Sequence, residues 1–119
     1  MDRKTVGILG EVSAARFYRD AGYTLLASNY RTRQGEIDLI VQGRGILVFT
    51  EVKTRAEGSL VTPREAVTPA KQRRIVSAAA AYLEKFGSDD LPVRFDVIEV
   101  YYNDAGVTHL NCIEHAFEA

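Results

Sequence analysis

The chain has 119 residues, 46% hydrophobic and 26% charged, the proportions of a soluble globular protein with one domain of ordinary size. They exclude a disordered chain, a collagen-like repeat and a membrane protein, and a domain this long buries about two thirds of its unfolded surface. Fifteen Lys and Arg against sixteen Asp and Glu leave a net charge of −1, but residues 53–74 carry +4 and residues 84–119 carry −6, which predicts a basic patch beside the middle of the chain and an acidic end facing elsewhere.

In chain order, a helix is expected from about Thr5 to Ala21, ending at Gly22, a favourable C′ residue. Ser13, Arg16 and Asp20 share its wet side, whereas Glu11 falls with Ile8, Ala15 and Tyr18 on the small and apolar side. Three strands follow at about Tyr23–Tyr30, Glu36–Val41 and Ile46–Thr54, punctuated by Arg33-Gln34-Gly35 and Gly43-Arg44-Gly45. Ala56 to Val67 reads as a loop. Thr68-Pro69 then supplies an N-cap followed by proline at N1, and the second helix runs to Phe86 before Gly87. Its apolar stripe is Ile75, Ala79, Tyr82, Leu83 and Phe86. Val93–Tyr102 is a long strand, Asn103-Asp104-Ala105-Gly106 a turn and Val107–Ile113 a last strand. The order αβββαββ implies an α/β sandwich with a mixed sheet, parallel where the second helix is the crossover.

The lone Cys112 rules out an intrachain disulfide and a thiolate zinc site. With no apolar h-region after Met1-Asp2-Arg3-Lys4, the expected home is a reducing cytoplasm. The longest uncharged helical stretch, Ile75 to Leu83, is too short to cross a bilayer.

The second and third strands hold the chemistry. Alternation puts Glu36 and Asp38 on one face of the first and Glu51 and Lys53 on one face of the second. A two-residue turn at Arg44-Gly45 makes paired positions sum to 89 and sets Asp38 opposite Glu51; a glycine at the second turn position favours that choice. A three-residue loop without a bulge would separate them. Facing carboxylates repel, and burial pushes one pKa upward. A divalent cation is the simplest group to offset this, and hard oxygen ligands suit Mg²⁺, with Mn²⁺ as a substitute. Lys53 would flank the metal and position or activate a water. Together with a basic loop, this set suits phosphodiester hydrolysis. The plain alternative is an exposed strand face carrying a Glu–Lys salt bridge. Glu36 reads as the strand's first exposed residue.

Asp38 followed by Glu51-Val52-Lys53 in the next strand resembles the PD-(D/E)XK signature of restriction-endonuclease-like nucleases, and more closely the YraN-like family of predicted bacterial endonucleases. Gly7-Ile8-Leu9-Gly10-Glu11 resembles that family's first-helix motif and Asn29-Tyr30-Arg31 its first strand. Gly35-Glu36-Ile37-Asp38-Leu39-Ile40 and Phe49-Thr50-Glu51-Val52-Lys53-Thr54-Arg55 resemble its central block, and Glu65-Ala66-Val67, Lys71 and Arg94-Phe95-Asp96-Val97 continue in order. The resemblance implies a restriction-endonuclease-like core, Asp38 and Glu51 as metal ligands, and Lys53 beside the scissile phosphate. It also implies Glu11 as the additional first-helix carboxylate of resolvase-type nucleases. Thr50 departs from the family's usual valine and points away from Glu51 and Lys53, so it bears on packing.

Lys71-Gln72-Arg73-Arg74 opens the second helix near Arg55 and Arg64, where phosphate is attracted; such a run is equally a solvated helix face. Related nucleases often carry a glutamine near Gln72. Asp96 reads as structural, paired with Arg94 or Arg31. The expected function is a Mg²⁺-dependent nuclease acting on DNA, with RNA open as a substrate. The rival is a nuclease-fold module that binds nucleic acid or recruits partners without cutting. A third reading is a subunit whose basic patch works within a larger assembly. A twofold dimer would suit cutting two strands, with the edge of Val107–Ile113 as one candidate contact. A metal site predicts that Glu51→Gln leaves the metal-free fold unharmed or slightly more stable; a structural salt bridge predicts the reverse.

Overall fold

The computed structural model describes residues 2–59, 67–87 and 90–119. Its elements are α1 (Arg3–Asp20), β1 (Thr24–Arg31), β2 (Glu36–Gly43), β3 (Ile46–Ala56), α2 (Pro69–Phe86), β4 (Val93–Asn103) and β5 (Gly106–Phe117). The predicted order αβββαββ is the observed one, and each boundary lies within a few residues of expectation. Arg64, Glu65 and Ala66 lie outside the described residues. No helix among those described is long and apolar enough to cross a membrane.

The strands form one mixed sheet in the order β1-β2-β3-β4-β5. β3 and β4 pair in parallel across the α2 crossover, and the other neighbours are antiparallel. The β2–β3 hairpin turns on Arg44 (φ 55°) and Gly45 (φ 78°). Both residues adopt the left-handed conformation of a type I′ turn, whose twist matches that of the flanking strands. The register from Gly43↔Ile46 to Leu39↔Thr50 is the one expected from the two-residue turn.

Each helix covers one face of the sheet. On the α2 side, Ile40, Leu47, Phe49, Phe95 and Val97 pack against Ile75, Ala78, Ala79 and Tyr82. Aromatic contacts link Tyr30, Tyr82, Phe49, Phe95 and Phe117 across this face. α2 starts at Thr68, whose hydroxyl accepts the Lys71 N–H, with proline at N1.

On the other side, Ala14, Tyr18 and Tyr23 pack against Leu39, Val41, Val48, Ile98 and Val100. Here the structure corrects the expected helix face. The buried stripe of α1 is Val6, Gly10, Ala14 and Tyr18, while Ile8 is exposed. A Cβ on Gly10 would collide with the Thr54 side chain, so the bare glycine sets both the rotation and the close approach of the helix. Glu11 is thereby turned to the shoulder of the contact.

The polar groups of this layer form one network. The Tyr18 hydroxyl is 2.7 Å from Thr50 Oγ1 and donates to Asp96 at 2.8 Å, and the Arg94 guanidinium donates to both Asp96 oxygens. Asp96 therefore has the structural role expected of it, with Arg94 as its partner. Thr50, fully buried, spends its hydroxyl here, which accounts for a polar residue at an apolar position.

Candidate functional site

The β2–β3 ladder ends at Leu39↔Thr50, one step before the two carboxylates. At the next ladder bond the Val52 N–H donates instead to Asp38 Oδ2, at 2.7 Å. The side chain has taken a donor that would otherwise serve the strand partner, and the strands part there. Asp38 and Glu51 line one cavity of about 370 Å³, closed by the β1–β2 turn on one side and the first turns of α2 on the other. Its other charged walls are Arg31, Arg33, Glu36, Lys71 and Arg74.

The turn and the helix can close on each other because position 35 is glycine. A Cβ on Gly35 would stand 2.5 Å from the Arg74 carbonyl oxygen, well inside contact distance. The turn is held by Thr32, whose hydroxyl accepts the Gly35 and Gln34 N–H groups.

Glu51 is only 4% exposed and meets two ammonium groups at one oxygen: Lys71 Nζ at 2.7 Å and Lys53 Nζ at 3.4 Å. Burial and the neighbouring charge of Glu51 push Asp38 up to about 7, against the pull of the Val52 N–H. Burial lowers Lys53 below the usual lysine value. Burial works the same way on Lys71, but its bond to Glu51 outweighs this and raises it. Asp38 and Glu51 thus share one charged cavity, and among the described residues two lysines, not Lys53 alone, meet Glu51.

Glu11 sits at the border of this cluster. Its charge is near enough to contribute to the rise at Asp38, but its carboxylate accepts the Asn29 side-chain amide at 2.8 Å. Asn29 takes a left-handed φ of 51°, a conformation asparagine tolerates better than most residues, between the pairs Ser28↔Leu39 and Tyr30↔Ile37. Among the described residues, no three His, Cys, Asp or Glu side chains gather as a ligand set.

The basic residues divide. Lys71 and Arg74 face the cavity. Arg73 faces a different hollow, with Ser77 and Glu118, and Gln72 donates its amide to the Val67 carbonyl at 3.1 Å. Arg55 is 14% exposed and stands 3.6 Å from Glu99, so the acidic end of the chain does not face wholly away from the basic segment. Glu36 is exposed and meets Arg31 at 3.3 Å. The contact of Lys71 with Glu51 and the placing of Arg31 and Arg33 in the wall were missed in the sequence. Neither has a local signal, because each depends on where α2 and the β1–β2 turn come to rest on the sheet.

Two carboxylates supply hard oxygen donors, and a small divalent cation needs no more than one or two of them beside waters and phosphate oxygens. The donor set fits Mg²⁺ or Mn²⁺, with Asp38 and Glu51 as the residues that would hold it.

Comparison with known proteins covers nearly the whole chain. Residues 10–100 match a family described as "Uncharacterised protein family UPF0102". A UPF0102 protein of Symbiobacterium thermophilum is 49% identical over 116 residues, 98% of each chain. One of Alkaliphilus oremlandii is 43% identical over 96% of this chain and 98% of its own, and one of Geotalea daltonii is 40% identical over 98% and 92%.

Proposed function

We propose that this chain, which belongs to the UPF0102 family, is a divalent-cation-dependent nuclease that hydrolyses phosphodiester bonds of DNA. The observation that carries the reading is the pair Asp38 and Glu51, both lining one cavity with Asp38 pushed up to about 7. A cavity that gathers two repelling carboxylates is costly unless something binds between them. The order of motifs along the chain, which resembles that of restriction-endonuclease-like nucleases, supports the same reading.

Asp38 and Glu51 would hold the cation, which supplies Lewis-acid charge and a water of lowered pKa. Lys53, 3.4 Å from Glu51, orients the attacking water and offsets charge developing on the phosphate. Arg31, Arg33 and Arg74 on the cavity wall grip the nucleic-acid backbone on both sides of the cut bond. Glu11, from its shoulder position, adds negative charge that favours the cation.

The rival reading, a module that binds without cutting, draws on the two ion pairs of Glu51, which a purely structural salt bridge would also show. Labelled plain, flapped and branched duplexes incubated with Mg²⁺ or Mn²⁺ distinguish the two. Cleavage by the wild-type chain that Lys53→Ala loses supports the nuclease. Binding with no cleavage under either ion supports the module.

A further inference from the structure

Glu51 cannot stand alone as a charge, since at 4% exposure it has almost no water to solvate it. Its closest cation is Lys71, at 2.7 Å from the same Oε1 that Lys53 meets at 3.4 Å. The two lysines differ in freedom. Lys53 lies on β3 and is 25% exposed, whereas Lys71 reaches over from the first turn of α2 and is 41% exposed. An ammonium in the first turn of a helix is on the wrong side of the helix dipole, and no acidic residue lies in that turn to offset it. Glu51 is what holds it there. Arg74, one turn further along, shares the cavity wall, so a phosphate drawn to that wall would meet an ammonium released from Glu51.

We infer that Lys71 occupies the place of the divalent cation: its ammonium holds Glu51 until a metal ion takes that carboxylate, and Lys71 then passes to a phosphate of the substrate. This rests on the nuclease reading above and adds to it a residue that competes with the metal and couples its arrival to substrate grip. A divalent ion and an ammonium held close to one carboxylate repel each other strongly, so the arrival of the ion favours release of Lys71.

The test uses Mn²⁺ alone as probe, binding to the full chain by calorimetry at neutral pH. Lys71→Met should bind Mn²⁺ roughly tenfold more tightly than wild type, the effect of removing one competing ion pair, and Lys71→Arg should stay near wild type. Thermal melts confirm that each variant is folded. Equal or weaker binding by a folded Lys71→Met overturns the inference and leaves the nuclease reading in place. Failure of Mn²⁺ to bind either chain overturns both. A second arm follows the phosphate contact through the salt dependence of duplex binding. With Ca²⁺ present, Lys71→Met should lower the slope by about 0.9, one phosphate contact, and leave it unchanged in EDTA. Equal slopes for the two chains in Ca²⁺ contradict the transfer.

Discussion

Asp96 and Asp38 are both withdrawn from water in the same sheet, and the fold treats them in opposite ways. Asp96 is completely buried, with both oxygens bonded by Arg94, a third bond from the Tyr18 hydroxyl and a fourth from the His115 N–H. Among the described residues, Asp38 has a single backbone donor, Val52, and it lies beside the charge of another carboxylate, Glu51. A carboxylate whose lone pairs are all used contributes order to the core and has nothing left to offer a ligand. One left short of donors beside a like charge keeps its coordinating capacity at a cost in stability. The difference separates a structural acid from a candidate ligand more sharply than burial does.

The largest effect should come from the saturated side. Asp96→Ala strands Arg94, the Tyr18 hydroxyl and a strand N–H at once, and should cost about 3–5 kcal/mol of unfolding free energy; urea melts measure it. A loss below 1 kcal/mol, on the order of a surface pair, would break the comparison.

The frustrated side should respond in the other direction. In EDTA at pH 8, Asp38→Asn should stabilise the chain by about 2 kcal/mol, because the amide oxygen still accepts the Val52 N–H while the repulsion goes. The sign follows from linkage. Asp38 titrates near 7 when folded against an ordinary value of 3.8, so the folded state keeps a proton that the unfolded chain gives up. Wild type therefore loses stability as pH rises from about 4 to about 7, the advantage of Asp38→Asn opens over that window, and it is constant above it. A variant less stable than wild type at pH 8 would place Asp38 with the structural acids.

Gly35→Ala tests whether the cavity depends on the approach of the turn to α2. The methyl would meet the Arg74 carbonyl at 2.5 Å, and the turn should move away at a cost of about 1–3 kcal/mol, with cleavage falling further than stability. A variant matching wild type in both would show that the wall is not set there.

The smallest expected effect is that of Glu51→Gln in EDTA. With two lysines on Glu51 instead of one, the fold should lose stability, by about 1 kcal/mol or less once both ammoniums swing outward. The expectation from sequence, no loss or a slight gain, counted Lys53 alone. Asp38→Asn is accordingly the variant whose gain in stability tells a metal site from a salt bridge.

What could be read in the sequence was local. Arg44-Gly45 specifies a two-residue turn, the turn fixes the register up to Leu39↔Thr50, and Asp38 and Glu51 come to line one cavity just beyond it. Thr68-Pro69 likewise marks the start of α2 by capping chemistry alone. What could not be read depends on how closely a helix meets the sheet. Glu11 lies on the apolar side of a helical wheel, yet Gly10, having no side chain, is the residue that sinks onto Thr54 and turns Glu11 to the shoulder. Lys71 reads as a phosphate contact or a solvated charge at a helix start, and its contact with Glu51 emerges only when α2 is laid on the sheet. Arg55 reads as part of a basic patch, but its partner Glu99 is supplied by the parallel strand β4, 44 residues further on.

The central claim, that Asp38 is left short of donors beside Glu51 at a site for a cation, is tested most directly by following the Asp38 side-chain carboxyl carbon by NMR across pH, without and with Mg²⁺. The account predicts a midpoint near 7 in the metal-free chain and a large downward shift when Mg²⁺ is added. A midpoint near the ordinary aspartate value, about 4, or one that Mg²⁺ leaves unmoved, would contradict it.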